Sequence, residues 1–443
     1  MGRIPAHWLL HRTKVHFSFL KILNKNRNEK NVLSLTLKGV IRNNPENPEG
    51  LVPKDYGTYQ RFLKDDLVFK LIDLENLRTS RVGLVPESGI MSSAYLRLRR
   101  KKNELVRYFY YQYFDLYSRG VYNQLGAGVR STLGSTDLLN LSVAVPPSDE
   151  QAAIVKFLDW ANGRIDRAIR AKKKIISLLN EQKQAIIHQA VTRGLDPNIE
   201  MKPSGLPWLG DIPKHWLITR NSALFSHRVE KGIVGLPVLQ VSLHSGVTPE
   251  TFDQFGREKR YISDHSKYKL IRNNDLAYNT MRMWQGAVGV SPTDGLVSPA
   301  YVVLTPRPQV YPPYYELLFR TNVYKQQVNR YSTGIVSDRN RLYWESFKQM
   351  PNILPPHAEQ KIIADAMATR MKSLDTGITH LEKDISFIRE YLIRLVSDVV
   401  TGKLDINSVA KRLVSEAHKE QIEIGDEDLI ENEDDTELTE DTI

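Results

Sequence analysis

Four blocks of this sequence return, in the same order and at nearly one spacing, in its second half. Gly2-Arg-Ile-Pro-Ala-His-Trp-Leu9 comes back as Gly210-Asp-Ile-Pro-Lys-His-Trp-Leu217. Gly83-Leu-Val-Pro-Glu-Ser-Gly-Ile-Met-Ser-Ser-Ala-Tyr95 comes back as Gly289-Val-Ser-Pro-Thr-Asp-Gly-Leu-Val-Ser-Pro-Ala-Tyr301. Val145-Pro-Pro-Ser-Asp-Glu-Gln151 pairs with Leu354-Pro-Pro-His-Ala-Glu-Gln360, and Val191-Thr-Arg-Gly-Leu-Asp196 with Val400-Thr-Gly-Lys-Leu-Asp405. A repeat this long constrains the fold more than any composition does. One unit of about 200 residues has to be stable twice over, and each copy is large enough to bury a core of its own.

Each copy changes character part-way. Its first part is mixed, with short apolar runs such as Asp66-Leu-Val-Phe69 and Tyr301-Val-Val-Leu304 that read as strands between Gly, Pro and Asn punctuation. After Pro-Pro comes a helix start with acidic residues in its first turn, where the helix dipole favours them. Apolar residues then recur at alternating three and four positions. The first stripe runs Ile154, Leu158, Ala161, Ile165, Ala168, Lys172, Ile175, Leu179, Gln182 and Ile186. The second runs Met371, Leu374, Ile378, Leu381, Ile385, Ile388, Leu392, Leu395 and Val399. This is coiled-coil spacing over about 43 residues, or about 64 Å of helix, with Gly163 and Gly377 as the expected kinks. The economical arrangement pairs the two helices antiparallel. The alternative packs each stripe onto its own domain. The expected architecture is therefore α+β: globular α/β domains at 1–145 and 198–357, long spacer helices at 146–197 and 358–412, an internal pseudo-twofold, and a tail at 413–443.

Charge follows the same boundaries. The chain has 61 basic and 51 acidic residues, but thirteen acids and a single lysine lie beyond residue 412, which leaves 60 basic against 38 acidic, +22, on the rest. The first globular part carries 23 basic and 12 acidic residues and the second 19 and 12, so the excess sits on the globular parts. A body this basic is the footprint of a protein that meets a polyanion, and nucleic acid is the most abundant one. The acidic tail reads as disordered, serving solubility or covering the basic surface. With no cysteine at all, disulfides, thiolate metal sites and cysteine nucleophiles drop out. No apolar run is long enough to span a bilayer or to act as a secretory signal, which makes the cytoplasm the default location.

The Pro-Pro-x-x-Glu-Gln blocks, the long helices after them, the Val-Thr-x-Gly-Leu-Asp ending and the linker Ser204-Gly-Leu-Pro-Trp-Leu-Gly-Asp-Ile-Pro-Lys-His-Trp216 closely resemble the DNA-specificity (S) subunit of type I restriction-modification enzymes. The resemblance runs to about Asp405. The first copy lacks the Ser-Gly-Leu-Pro-Trp-Leu-Gly lead that precedes Asp211. The resemblance implies that the two globular parts are target-recognition domains, each reading half of a split, asymmetric sequence in double-stranded DNA. It implies two methyltransferase (M) subunits docked on the helices and restriction-translocase (R) subunits beyond them. S-adenosylmethionine, ATP and Mg2+ would be used by those partners, with no cofactor and no metal in this chain.

Catalytic constellations argue the same way. An adenine methyltransferase of its own would need Asn or Asp before Pro-Pro and an aromatic; Tyr311-Pro-Pro-Tyr314 begins with tyrosine, which lacks the acceptor for the target amino group. Leu125-Gly-Ala-Gly-Val-Arg130 is a lone Gly-x-Gly, and Gly402-Lys403 is followed by Leu404 where a phosphate loop needs Ser or Thr. A self-contained DNA methyltransferase or nuclease is the competing reading. The candidate DNA contacts are Arg78, Arg81, Arg130, Arg282, Gln285, Arg339 and Arg341: Arg130 and Arg339 take equivalent positions in the two copies, each three residues before a Leu, the loops of Arg78, Arg81, Arg282 and Gln285 differ between copies, and arginine and glutamine can each form two hydrogen bonds with a base edge. The spacer-helix core is expected at Ile154, Leu158, Ile165, Leu179, Leu374, Ile378, Leu381, Ile385, Ile388 and Leu392. Trp8 and Trp216 read as core anchors.

Overall fold

The computed structural model describes residues 4–36, 39–44, 55–71, 82–125, 133–233, 235–243, 245–249, 267–334 and 340–406. The acidic tail lies outside them. The chain divides into two compact units, Met1–Ala171 with Asp384–Ile443, and Lys172–Lys383. Both long helices are thus shared between units.

In the first unit, strands Phe17–Phe19, Leu96–Arg100, Leu67–Phe69 and Val82–Leu84 lie side by side in that order, each antiparallel to its neighbour. The inner strand Leu67-Val-Phe69 is apolar throughout and entirely buried, because both of its faces are covered. Helix Val106–Ser118 lays Tyr108, Phe109 and Tyr113 against the sheet, with the Phe109 ring edge-on to Phe17 at 5.1 Å. The Tyr108 hydroxyl donates to Ala144 O at 2.8 Å, so a buried polar group is not left unsatisfied.

The second unit repeats this plan. Strands Phe225–Arg228, Tyr301–Pro306, Leu276–Asn279 and Val288–Val290 take the same order, and the Tyr315 hydroxyl donates to Ile353 O at 3.0 Å. The repeated Gly83 and Gly289 block has a steric reason. A Cβ on Gly289 would come within 2.5 Å of the Val247 backbone nitrogen, so that position requires glycine for close approach of two strands, and one on Gly83 would come within 2.6 Å of the Leu35 side chain, which would have to shift.

Ser148–Arg193 is one helix of 46 residues and His357–Val400 one of 44; both run through Gly163 and Gly377 without interruption. In the first unit Ile154, Phe157 and Leu158 join the core together with Val396, Val399 and Val400, so the start of one long helix packs where the other ends. In the second unit Lys183 pairs with Asp375, while Ala190 and Val191 share a core with Ile363, Ala364 and Met367. Numbers rise along one helix as they fall along the other, so the segments run antiparallel.

Of the expected seam, Ile154, Leu158 and Ile385 are buried, and Ile165, Leu179, Leu374, Ile378, Leu381, Ile388 and Leu392 are half-buried. Along the middle of the first helix the seam runs one residue later than the spacing indicates. Ala168, Ile175 and Gln182 are exposed, whereas Ile169, Ile176 and Lys183 are half-buried. A straight helix of 3.6 residues per turn drifts against a 3.5-residue repeat, and the adjacent pair Ile175-Ile176 allows either register. Ile385 is 7% exposed and Phe387 is 65% exposed, which gives a direct test of the seam. Ile385→Asp is expected to lower unfolding free energy by at least about 2–5 kcal/mol, the range for truncating a buried isoleucine. Phe387→Asp should change it by less than about 0.5 kcal/mol. Denaturant unfolding of the two variants checks the contrast.

Candidate nucleic-acid interface

The repeated blocks hold each domain to its helix, which sets where the variable loops are presented. Trp8 and Trp216 are 5% and 0% exposed. Each is turned inward by a bond from its own amide to the proline three residues earlier, Pro5 or Pro213, at 3.0 Å. The Trp216 indole donates to Glu359 at 3.1 Å, and His215 meets the same carboxylate at 2.7 Å. In the first unit Trp8 and His7 meet Glu150 at 3.1 and 3.0 Å. The glutamine that follows each glutamate, Gln151 or Gln360, donates back to a carbonyl of the Pro-Pro pair, Pro146 at 2.9 Å or Pro355 at 2.8 Å. The two framing blocks are therefore one contact seen from both sides. Glu359→Ala would strand a buried indole N–H, and is expected to cost about 1–3 kcal/mol. His215→Ala, which removes a side chain 42% exposed, should cost well under half of that in the same unfolding assay.

Several arginines near the domain surfaces are already engaged by carboxylates. Arg27 holds Asp55 with two bonds, and that contact, with the Gly57 amide, keeps the Asp55 carboxyl at about 2. Arg42 holds Glu87, Arg99 holds the buried Asp66, and Arg119 holds Asp115. In the second unit Arg228 bridges Asp275 and Glu230, and Arg272 reaches Glu230 at 3.4 Å. Two cations predicted as DNA contacts differ. Arg282 and Arg341 are exposed, and among the described residues neither meets a carboxylate. Arg341 has only the Tyr343 hydroxyl, at 3.5 Å.

Arg341 lies on a cleft of about 590 Å3 in the second unit, with His227, Lys269, Thr280, Met281, Tyr343, Trp344 and Glu345 among its lining. The His227 ring stacks on Trp344 at 5.4 Å, and burial, then Lys269, pushes its pKa down, so the ring is neutral at pH 7. Gln285 goes elsewhere. It ends the 3-10 turn Met283–Gln285 and faces a second cavity, of about 630 Å3, with Arg320 and Lys325 and with Lys183 and Gln184 of the long helix. Its Oε1 is buried there without a partner among the described residues. Arg78, Arg81, Arg130 and Arg339 lie outside the described residues.

The imitated catalytic motifs have structural uses. Pro312 and Pro313 open the helix Pro312–Phe319, and the buried Tyr314 donates to Val191 O at 2.6 Å. Gly402 closes the second long helix at φ +71, and a Cβ there would come within 2.4 Å of Pro5. Leu125 is described, but the rest of the Gly-x-Gly run is not.

Comparison with known proteins agrees with this anatomy. The family described as "Type I restriction modification DNA specificity domain" matches residues 18–181. The "Putative type I restriction enzyme MjaX specificity subunit" of Methanocaldococcus jannaschii is 21% identical over 378 residues, covering 81% of this chain and 83% of that one. Residues 18–181 of the chain are thus similar to the DNA specificity domain of type I restriction-modification systems. The fold agrees: a chain from a solved structure described as "Structural basis underlying complex assembly and conformational transition of the type I R-M system" is similar at a TM-score of 0.62 and 11% identity, over 91% of this chain and 100% of its own length. The "HsdS subunit from Thermoanaerobacter tengcongensis" is 14% identical over 90% of this chain and 97% of its own, with a TM-score of 0.42. Among the described residues no group of histidines, aspartates or glutamates is placed to hold a metal ion, and no helix is long and apolar enough to cross a membrane.

Sequence reasoning passed over two sets of contacts. Glu150 and Glu359 stood out only as part of the Pro-Pro-x-x-Glu-Gln blocks, and their contact with the His-Trp pairs was not read, although the two blocks recur at the same spacing. His227, Lys269 and Tyr343 escaped it because the cleft draws them from segments far apart in the sequence.

Proposed function

We propose that this chain is the sequence-reading, non-catalytic subunit of a type I restriction-modification complex, in which each globular domain reads one half of a split, asymmetric site in double-stranded DNA. The observation that carries this reading is the duplication itself. One scaffold occurs twice, is held to the long helices by the same His-Trp-Glu contact, and differs between copies in its surface loops. A scaffold with a fixed frame and variable loops suits two different short words better than one continuous word. The positive charge of residues 1–412 supplies affinity for the phosphates of both halves.

Two methyltransferase subunits would dock against the long helices. Phe387 and Tyr391, 65% and 60% exposed and four residues apart on one helical face, are suited to such a contact. Restriction-translocase subunits would join through that assembly. S-adenosylmethionine, ATP and Mg2+ would be bound by those partners, which carry out methyl transfer and cleavage. The work of this chain is to place a half-site so that a flipped adenine reaches a partner's pocket. The reading also places the chain in the cytoplasm with the DNA it serves.

The experiment is to assay the purified chain alone and with its methyltransferase partner. Alone, it is expected to bind duplex DNA and to transfer no methyl group; with the partner, methylation appears at one split sequence. Methyl transfer or cleavage by the chain alone would support the self-contained enzyme instead, and no salt-dependent affinity for duplex DNA would leave only a protein-binding adaptor.

A further inference from the structure

The cleft that holds Arg341 is lined by several residues whose counterparts in the first domain differ in chemistry. The pairings of the two four-stranded sheets make the comparison position by position. Phe17 faces Arg100 where Phe225 faces Pro306, Phe69 faces Leu96 where Tyr278 faces Val302, and the Leu133 amide bonds to Leu71 O where the Leu342 amide bonds to Thr280 O. In that frame His227 takes the place of Phe19, Lys269 that of Gln60, Tyr343 that of Gly134 and Trp344 that of Ser135. Beneath them the sheet keeps its character: Leu67 and Leu276, Val68 and Ala277, Phe69 and Tyr278, Leu98 and Leu304 are all fully buried. Positions that only pack stay apolar in both copies, and the lining residues Ala300 and Val302 keep Ala94 and Leu96 as counterparts, whereas those at 227, 269, 343 and 344 change chemical class.

The lining also has groups with capacity to spare. His227 Nε2 is buried with no hydrogen-bond partner among the described residues. Lys269 donates one bond, to Tyr301 O at 2.7 Å, and has two further N–H groups. Thr280 gives its hydroxyl proton to Ala300 O at 2.9 Å and keeps an acceptor. Arg341 meets no carboxylate among the described residues, and Glu345 on the rim pairs with Lys348. Met281, 41% exposed, adds an apolar contact beside them. Donors, acceptors and an apolar spot converging on one notch match the edge of a base pair, where a guanine offers two acceptors to arginine and a thymine offers a methyl group. A phosphate oxygen would need cations alone.

We propose that this cleft reads one or two adjacent base pairs of the half-site belonging to the second domain, and that its different lining is what makes the two half-sites unlike. The inference rests on the DNA-reading function above. It gives His227, Lys269 and Tyr343 a role in specificity beside Arg341.

The test is selection of the full-length chain on a library of randomised DNA duplexes, for the parent and for Arg341→Ala and His227→Phe, the latter installing the first domain's residue. The preference for one or two neighbouring base pairs, in one half of the selected sequence, is expected to relax roughly 5- to 150-fold, with the other half unchanged. Preserved preference in both variants would overturn the proposal. So would uniform weakening across all sequences with a shallower salt dependence, the mark of a phosphate contact. Arg341 is exposed, so Arg341→Ala should fold as the parent does and carries the test if His227→Phe does not. A parent chain that selects no split sequence contradicts the DNA-reading function itself, and the cleft's role falls with it.

Discussion

Trp216→Ala is expected to lower the unfolding free energy of the second unit by about 3–5 kcal/mol, and the melting temperature by roughly 6–20 °C. Trp216 is completely buried. Its ring lies edge-on to Tyr314 at 6.5 Å and its indole N–H is held by Glu359. Truncation leaves a cavity that the long helix cannot fill without moving, and takes from Glu359 one of its two donors, leaving His215. Domains of this size are stable by only about 5–15 kcal/mol in total, so the loss is a large share. Trp8→Ala should act in the same way on the first unit, because Trp8 has the same partner type in Glu150 and packs at the end of the other helix. Calorimetric melting of both variants checks this. A loss below about 1 kcal/mol for Trp216→Ala would mean that the repeated block has some purpose other than anchoring.

The second large effect is on binding. Residues 1–412 carry +22, and a protein that neutralises six to ten phosphates is expected to lose roughly 10^3- to 10^5-fold in affinity for duplex DNA as salt rises from about 50 to about 200 mM. Equilibrium titration at a series of salt concentrations measures the slope. A flat response would show that the positive charge does not face DNA.

The scaffold was more legible in the sequence than the site. The duplication could be read because the Ile-Pro-x-His-Trp and Pro-Pro-x-x-Glu-Gln blocks are two sides of one buried contact; a residue such as Trp216 or Gln360 has neighbours on every side and little freedom to differ between copies. The helices were legible because apolar residues recurring at three and four positions over so long a stretch line up on one face only in a helix. Their register was less so. Ile175 and Ile176 are both apolar, and only the pairing of Lys183 with Asp375 places a lysine on the inner side, where its aliphatic stem packs while its charge is met.

The site was harder because clefts are assembled by topology. His227 and Lys269 come from different strands, and Tyr343 and Trp344 from a turn more than seventy residues further on. No spacing in the sequence joins them. Gln285 shows the converse: a residue type suited to reading adenine, in a loop that differs between copies, that the fold turns toward the long helix instead. Residue type and divergence narrow the candidates, and the direction of each side chain decides among them.

The central claim, two sister domains each reading its own half-site, is tested most directly by mapping N6-methyladenine through the DNA of cells with and without this chain. The expected result is one methylated motif, made of two unlike short sequences separated by a gap of fixed length, that disappears when the chain is removed. A single uninterrupted motif, two identical halves, or a motif that persists without the chain would contradict it.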